Sequence, residues 1–559
     1  MNYKKILYFL VGLFLTVALY KLVTNRLRPA QTSYKFDEPV IGVYDRANLL
    51  SEAIEPVGFQ HISLTLDKSF PEDELASLTL PDNKPILVTI LIPEGSFIGN
   101  SSLKHIATGE YDEAIRTLCN RLIKNSSKLY LRLNPEMEVP VQLVAWQNQS
   151  AADYINAFQH FSQVCKSVDP RIQIVWGPAG YPGADEYWPG SKAVDAISVT
   201  LDSQSESLST AYPHTRDAVT QLRRKIHRMR FMDKPILMLA PAKSQAVSTS
   251  AALPAKVIKQ IDLEKAIIYS TTNPGLIDHQ LPVRTTTKPI LGVYDPGKSL
   301  LNTPPITVEH IFTDLGNIED GTFAKSFNEI VARHHDVIVT VEPWKDKKHI
   351  QPGRVLQNTL EGAYDAQFNE LYMLLSSVKQ TVNLRFAHEM EIPIHRYPWQ
   401  SQDPVLYIKA FRYFMNFDRK KAKNIKRVWG PAGDRGSMEW WPGNDVVDYI
   451  SVAIYGLPDK NITDPKKQES FSTIFNRKSY RMRFANKPIF VTEFGVKGPE
   501  DFQRQWLDDA AKFISQQKQI VGVCYFNLAD NPGVWGKMPA PDWSIDKSTF
   551  KHFVNELRD

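Results

Sequence analysis

Short apolar runs alternate with longer stretches of helical periodicity along most of the chain. Residues 85–90 and 336–341 are apolar almost without interruption, which is typical of strands buried on both faces. Between such runs lie stretches such as 405–417, where apolar positions recur with the helical period. Continuous apolar strands separated by helices predict a parallel sheet covered by helices. A closed (β/α)8 barrel and an open doubly wound sheet both fit this alternation.

The same pattern occurs twice. Gly-Val-Tyr-Asp stands at 42–45 and again at 292–295, and Val-Trp-Gly-Pro-Ala-Gly stands at 175–180 and again at 428–433. From residue 131 to about residue 243 the two copies keep a constant offset of 253 residues. A period of that size indicates a duplicated domain and is far longer than any solenoid repeat.

The chain is predicted to have four parts. We expect a membrane-anchor helix within 1–29, because residues 6–20 carry no charge and are almost wholly apolar. A polar tether is expected at 30–39, a first barrel at 40–280 and a second barrel at 285–559. We expect the anchored barrels to lie outside the cytoplasm, although similar positive charge on both sides of residues 6–20 leaves the orientation open. A cleaved signal peptide is the alternative, and it would make the protein secreted.

Composition excludes some classes of function. The 559 residues, 43% of them hydrophobic, can build two large domains. The 66 basic and 61 acidic residues leave a net charge of +5 without a basic window, so no nucleic-acid partner is predicted. The three cysteines are far apart, and the histidines lack the usual ligand spacing. We therefore expect neither a metal nor another cofactor.

Two glutamates end short apolar runs in the second copy. If 291–295 is the first strand, Glu389 follows its start by 389 − 291 = 98 residues, and Glu493 follows Glu389 by 493 − 389 = 104 residues. At roughly 33 residues per strand–helix unit, each interval is three units of a (β/α)8 barrel. Both glutamates are then predicted at the carboxyl ends of strands four and seven, where such barrels carry their active sites. An open sheet gives no reason for this spacing.

Four motifs follow one another through the second copy. They are Leu-Arg-Phe-Ala-His-Glu-Met at 384–390, Tyr-Pro-Trp at 397–399, Trp-Pro-Gly-Asn-Asp at 441–445 and Thr-Glu-Phe-Gly at 492–495. With them, residues 289–559 resemble glycoside hydrolase family 26 of clan A. The resemblance implies a (β/α)8 barrel and a retaining endo-β-glycanase without a cofactor, most often a β-mannanase and sometimes a mixed-linkage glucanase.

The resemblance also implies roles for single residues. Glu389 would be the acid/base and Glu493 the nucleophile. His388 would orient the acid, and Tyr455 would donate a hydrogen bond to the nucleophile, although a buried core histidine and a packing tyrosine are the alternatives. Residues 391–396 depart from the family, whose mannanases usually continue with Asn-Gly at this point. The substrate is therefore left open among β-mannan, β-glucan and an exopolysaccharide.

The first copy serves as an internal control. It keeps the position of the acid as Glu136, but the counterparts of the nucleophile, histidine and tyrosine are Ala240, Pro135 and Asp202. An acid without a nucleophile cannot run a double displacement. The first copy is therefore predicted to be a degenerate glycoside-hydrolase-like barrel.

Four tryptophans and one carboxylate are predicted to bind the substrate. Three of the tryptophans have no tryptophan counterpart in the first copy, whereas Trp399 recurs as Trp146, so an architectural role stays open for it. Glu342 could bind a sugar hydroxyl or pair with an arginine such as Arg385. The predicted set is Glu342, Trp344, Trp399, Trp440 and Trp535.

These observations predict a membrane-anchored tandem of two (β/α)8 barrels whose second barrel hydrolyses a β-linked polysaccharide. The alternative is a non-catalytic protein that binds or scaffolds a polysaccharide, as a partner of membrane synthesis or export machinery. The intact Thr-Glu-Phe-Gly at 492–495 favours hydrolysis in the second copy.

Overall fold

The protein divides into two compact units in the computed structural model. The first comprises Met1–Ala179, Pro189–Glu206 and Lys234–Pro254, and the second comprises Gly180–Trp188, Ser207–Asp233 and Ala255–Asp559. The structure describes residues 35–36, 39–50, 60–68, 85–93, 102–124, 128–201, 217–240, 252–268, 282–345, 354–393, 396–418, 422–456, 468–532 and 539–558. The predicted anchor at 1–29 lies outside these ranges, and no helix within them is both long and apolar enough to span a bilayer.

The first unit contains an eight-stranded sheet. Its central strands β3 to β8 pair in parallel and in chain order, β1 pairs antiparallel with β3, and β2 pairs antiparallel with β8. The strands are β1 (Lys35–Phe36), β2 (Val40–Tyr44), β3 (Gln60–Thr65), β4 (Pro85–Leu91), β5 (Lys128–Leu133), β6 (Gln173–Trp176), β7 (Ala196–Thr200) and β8 (Ile236–Leu239).

This sheet differs from the closed barrel predicted for the first copy. Val40 lies opposite Leu239 and Tyr44 opposite Ile236, so β2 runs along the free edge of β8 in the reverse direction. The backbone N–H of Ala240 extends this pairing by donating to the carbonyl of Pro39 at 3.1 Å. Because β2 occupies this edge, β2 and β3 do not close a parallel ring within the described residues.

The described residues of the first copy form five α-helices: α1 (Ser102–Ala107), α2 (Asp112–Lys124), α3 (Ala151–Val168), α4 (Ala218–Arg228) and α5 (Leu253–Ile268). The first three lie in the first unit, while α4 and all but the start of α5 lie in the second unit. Helix α4 begins with Asp217, whose side chain accepts from the backbone N–H of Thr220. A side-chain cap of this kind satisfies one of the free donors at a helix start.

The second unit contains a closed barrel of eight parallel strands in chain order, completed by pairing between its last and first strands. The strands are β9 (Ile290–Tyr294), β10 (Val308–Asp314), β11 (Asp336–Glu342), β12 (Val382–Phe386), β13 (Ile425–Trp429), β14 (Tyr449–Tyr455), β15 (Ile489–Gly495) and β16 (Ile520–Phe526). The (β/α)8 barrel predicted for the second copy is confirmed, and the open doubly wound sheet is excluded for it.

Helices follow the strands of this barrel. They are α6 (Leu315–Glu319), α7 (Thr322–Ala332), α8 (Val355–Leu360), α9 (Asp365–Ser376), α10 (Pro404–Asn416), α11 (Phe471–Arg481), α12 (Glu500–Gln516) and α13 (Lys547–Arg558). The predicted helix at 405–417 is α10, which begins with Asp403 as its cap and Pro404 in its first turn. Both residues favour a helix start, because Asp accepts from free backbone donors and Pro has none to lose.

Burial explains why the barrel strands are apolar. All seven residues of β15 are buried, and Phe490 packs in a cluster with Val308, Ile338 and Cys524. A strand covered on both faces cannot alternate polar with apolar residues. Counted from β9, strand four is β12 and strand seven is β15, which are the positions predicted for the two glutamates.

Candidate active site

Glu493 lies near the carboxyl end of β15, and donors hold both of its carboxylate oxygens. The Arg385 guanidinium donates to Oε1 through Nη2 and forms an ion pair with it. The Tyr455 hydroxyl donates to Oε2 at 3.0 Å. These two donors fix the direction in which the carboxylate points. This hydrogen bond is the one that the family resemblance implied for Tyr455.

Arg385 is itself held in place by hydroxyl groups on neighbouring barrel strands. Its Nε donates to Thr340 Oγ1 at 2.8 Å, and its Nη1 donates to Ser451 Oγ at 3.1 Å and to Thr492 Oγ1 at 2.9 Å. A Cβ atom at Gly430 would lie 2.5 Å from Arg385 Cδ, so only glycine leaves room for this side chain. The strands thus fix the buried guanidinium of Arg385 beside Glu493.

Glu389 follows β12 in a left-handed backbone conformation, with a φ of 54°. Its N–H donates to the Gly430 carbonyl at 2.8 Å, and its own carbonyl accepts from Gln400 Nε2 at 3.1 Å. Non-glycine residues pay for positive φ, so such sites often mark function. Here the first copy repeats the feature: Glu136 has a φ of 60° and donates to Gly177 at 2.8 Å. The conformation therefore belongs to the architecture of the repeat.

The environment of Glu389 suits a general acid. Burial of the carboxyl group and the negative charge of Glu493 raise the pKa of Glu389 to about 7, against the smaller effects of Arg396 and Arg385. A carboxyl group with that pKa still carries its proton near neutral pH, whereas an ordinary glutamate has lost it. The environment of Glu389 thus differs from that of Glu493, whose two carboxylate oxygens accept from Arg385 and Tyr455.

His388 is buried next to aromatic rings. Its ring centroid lies 5.0 Å from that of Tyr397 and 5.9 Å from that of Phe312. Burial and the charge of Arg385 lower the pKa of His388 well below its ordinary value, so the imidazole is neutral. Its Nδ1 has no hydrogen-bond partner among the described residues. The predicted role of His388 in orienting Glu389 stays a prediction.

Two of the tryptophans predicted to bind the substrate, Trp344 and Trp399, pack near His388 and Tyr397. The indole of Trp344 is 7% exposed, and its centroid lies 5.4 Å from Tyr397 and 5.2 Å from Trp399. Trp399 is fully buried, and its Nε1 donates to the carbonyl of His388 at 2.7 Å. In the first copy Trp146 makes the same bond to Pro135, at 2.8 Å. A fully buried indole offers no face to a sugar, so the structure favours an architectural role for Trp399.

The other predicted substrate residues have different outcomes. Trp440 is 3% exposed and packs edge-on against Tyr407 of α10, which likewise favours a core role. Glu342 ends β11 and is buried. Trp535 lies outside the described residues. Sugar binding by Glu342 and Trp535 stays a prediction.

Three partly exposed aromatic residues at strand ends were not predicted to belong to the site. Tyr294 of β9 stacks on Phe526 of β16 with centroids 4.6 Å apart, and meets Phe312 of β10 edge-on at 5.2 Å. Burial and the negative charges of Glu493 and Glu342 raise the pKa of Tyr294. Tyr294 recurs as Tyr44 and Arg385 as Arg132, so comparison of the two copies did not single out either residue.

Comparison with known proteins returns glycoside hydrolases. No protein-family model matches the chain. A β-1,3-xylanase of Alcaligenes sp. is 25% identical over 171 residues, which are 29% of this chain and 33% of that protein. The β-1,3-xylanase TXYA of Vibrio sp. is 28% identical over 171 residues, which are 29% of this chain and 34% of that protein. The chain thus spans about a third of the length of these curated relatives.

Among solved structures, the catalytic domain of the Bacillus sp. JAMB-750 GH26 endo-β-1,4-mannanase matches 49% of this chain and 86% of its own length. Its sequence identity to this chain is 13% and the TM-score is 0.36. The predicted resemblance of this chain to glycoside hydrolases is confirmed by the two β-1,3-xylanases.

Proposed function

We propose that the second copy is a retaining endo-β-glycanase. The observation that carries this proposal is the pair of unlike glutamates: Glu493, held at both oxygens by Arg385 and Tyr455, and Glu389, whose pKa is raised to about 7. A retaining glycosidase needs these two states at once, a carboxylate that attacks and a carboxylic acid that protonates.

The proposed reaction has two steps. In the first, Glu493 attacks the anomeric carbon while the bond to the leaving oxygen breaks and Glu389 gives that oxygen its proton. Once Glu493 is esterified it no longer carries the charge that raises the pKa of Glu389. Glu389 therefore becomes a base in the second step, takes a proton from water and directs the water oxygen to the anomeric carbon, which frees Glu493.

We propose a β-linked polysaccharide as the substrate, on the basis of the relatives' names. The curated relatives are named β-1,3-xylanases, and the solved structure is named an endo-β-1,4-mannanase. The test is release of reducing ends by the full-length protein from β-1,3-xylan, β-mannan and mixed-linkage β-glucan, with product size and anomer followed by NMR. First appearance of the β-anomer supports retention, the α-anomer would mean inversion, and no release from any β-glycan would favour a binding or scaffold role.

The first copy is proposed to lack hydrolytic activity. Ala240 stands at the position of the nucleophile, is fully buried, and is covered by backbone pairing to Pro39. An anchor formed by residues 6–20, with both copies on the extracytoplasmic side, remains part of the proposal, as does work beside polysaccharide synthesis or export machinery. Sedimentation of the full-length protein with membranes, and its release by mild detergent, test the anchor.

Activity is expected to depend on the proton of Glu389. The folded-state pKa of Glu389 is raised to about 7, so the acid is present below pH 7 and is lost as the pH rises through that value. Above that pH we expect kcat/KM for a natural glycan to fall tenfold for each pH unit, which gives the pH profile an alkaline limb. A substrate with a very good leaving group should not show the limb in its first step. If kcat/KM fell at the same alkaline pH for both substrates, the titrating group would not be the proton donor Glu389.

Arg385→Lys is expected to lower kcat roughly 10-fold to 100-fold with little change in KM, the scale on which loss of an orienting partner acts. A lysine cannot reproduce the forked guanidinium that reaches Glu493 and three hydroxyl groups together. Arg132→Lys is the matched control, because Arg132 occupies the same strand position in the first copy and is equally buried. Equal loss of activity in both variants would mean that this arginine acts through the fold alone.

A further inference from the structure

Two homologous segments of the chain bind each other within the second compact unit. The upstream segment consists of residues 180–188 and 218–231, and the downstream segment consists of residues 433–441 and 471–484. The two are related by the offset of 253 residues, and all of these residues belong to the second unit. Neither the catalytic chemistry nor the comparisons with relatives account for this pairing.

The ion pairs between these segments are reciprocal. Arg481 of the downstream segment donates through Nε to Glu186 Oε1 of the upstream segment at 3.2 Å. Arg228 of the upstream segment donates through Nε to Glu439 Oε2 of the downstream segment at 3.0 Å. Because 228 + 253 = 481 and 186 + 253 = 439, each pair is the other with its partners exchanged.

A second set of contacts has the same reciprocity. Arg483 donates through Nη2 to the carbonyl of Asp185, and its counterpart Arg230 donates through Nη2 to the carbonyl of Met438 at 2.9 Å. Asp185 and Met438 are again 253 residues apart. The guanidinium of each arginine also lies 4.3 Å from the ring of the phenylalanine that follows it.

One contact joins a residue to its own counterpart. The rings of Phe231 and Phe484, which are 253 residues apart, lie 5.5 Å from each other and are almost completely buried. In a two-fold symmetric interface residue i contacts j and j contacts i, and a residue meets its own copy only at the axis. The reciprocal pairs and this central contact together describe a pseudo-two-fold interface.

The charges in this interface are buried, so their pairing matters. Glu439 is 4% exposed, Arg481 is 3% exposed and Glu186 is 8% exposed. Burial alone would raise the pKa of Glu439, yet the charges of Arg224 and Arg228 outweigh it and lower that pKa to about 2. Removing one partner of such a pair leaves a buried charge uncompensated, which costs far more than breaking a surface pair.

We propose that the upstream and downstream segments form an internal isologous interface, so that the duplicated chain carries within itself the contact surface of a homodimer. The partner that each segment fits is a second copy of the same segment, which the duplication supplies covalently. The inference uses no catalytic residue and stands apart from the proposed function.

The first test cuts the connection between the copies. A protease recognition sequence is inserted within residues 269–281 of the full-length protein, the chain is cleaved, and the products are followed by native mass spectrometry. Detection of both fragments in one complex at micromolar concentration supports the proposal, whereas detection of the separate fragments overturns it. In the nicked protein, Glu186→Lys combined with Glu439→Lys should weaken the association at least tenfold.

Matched controls separate this effect from a general loss of stability. Glu329→Lys reverses one charge of the exposed Lys298–Glu329 pair and should leave the fragments together. The exchanged pair Glu186→Arg with Arg481→Glu should recover part of the association lost in Glu186→Lys. Unaltered association in the doubly reversed protein would overturn the proposal.

If the reversed variants fail to fold, double-mutant cycles in the uncut chain replace them. One cycle combines Glu186→Gln with Arg481→Gln, and the other combines Glu439→Gln with Arg228→Gln. In each cycle the double variant should lower the urea midpoint by less than the sum of the two single variants. Both cycles should show this coupling, since the pairs are counterparts. Additive losses in both cycles would overturn the interface.

Discussion

Glu493→Ala is expected to lower kcat on any β-glycan by about 10⁴-fold or more, the scale on which removal of a nucleophile acts. Without this carboxylate no covalent glycosyl-enzyme can form. The fold should persist, because the first copy already combines a buried arginine, Arg132, with alanine at the corresponding sequence position, Ala240. Arg385 also keeps its bonds to three hydroxyl groups.

Added azide gives this variant a distinctive readout. Azide can occupy the space left by the side chain of Glu493 and attack an activated substrate from the face that the carboxylate used. The product should be the α-glycosyl azide, identified by NMR. Circular dichroism and thermal unfolding check the fold. Turnover close to that of the wild type would contradict the proposal, because either Glu493 is not the nucleophile or the first copy is active.

The barrel of the second copy could be predicted because burial on both faces leaves a clear record in the sequence. The runs 291–294, 337–339 and 489–491 carry no charged residue and are almost wholly apolar, since strands such as β15 touch the core on one face and helices on the other. Strand count and spacing then placed Glu389 and Glu493 at the same end of the ring. The strand that a residue belongs to, and its place along that strand, can be predicted from such local patterns.

Strand partners in the first copy could not be predicted in the same way. The sequence around Gly42 repeats that around Gly292, yet β9 pairs in parallel with β10 and β16, while β2 pairs antiparallel with β8. A strand of either direction buries the same apolar residues. Direction is decided by tertiary pairing, here with residues 236–239, and the amino-acid pattern of 40–44 does not encode it.

Comparison of the two copies detected lost residues well and retained ones poorly. Glu493 was predicted from its strand position and motif, and its replacement by Ala240 in the first copy strengthened that prediction. Arg385 was named only as a possible partner of Glu342, whereas the structure pairs it with Glu493. A residue kept for architecture can thus acquire a role in the site when its neighbour changes. Sequence identity between the copies cannot reveal that change.

Glu389→Ala should produce a different loss, because it removes the proton donor and leaves the nucleophile. On a natural glycan, whose leaving group needs a proton, we expect kcat/KM to fall by about 10²-fold to 10⁴-fold, the contribution of general acid–base catalysis. An aryl glycoside with a very good leaving group should form the glycosyl-enzyme at nearly the normal rate and then stall, since water lacks its base. A burst of the aryl product should therefore precede a slow steady state.

Azide also reports on this variant, with the opposite stereochemistry. It should attack the accumulated glycosyl-enzyme on Glu493 from the face that water uses, restore part of the steady-state rate and give the β-glycosyl azide. Glu136→Ala is the matched control, since Glu136 has the same left-handed backbone and the same hydrogen bond to a glycine carbonyl. That variant should keep full activity. If the anomers from the Glu389→Ala and Glu493→Ala proteins were exchanged, the two glutamates would have the reverse roles; if neither variant gave an azide, a covalent intermediate at Glu493 would be untenable.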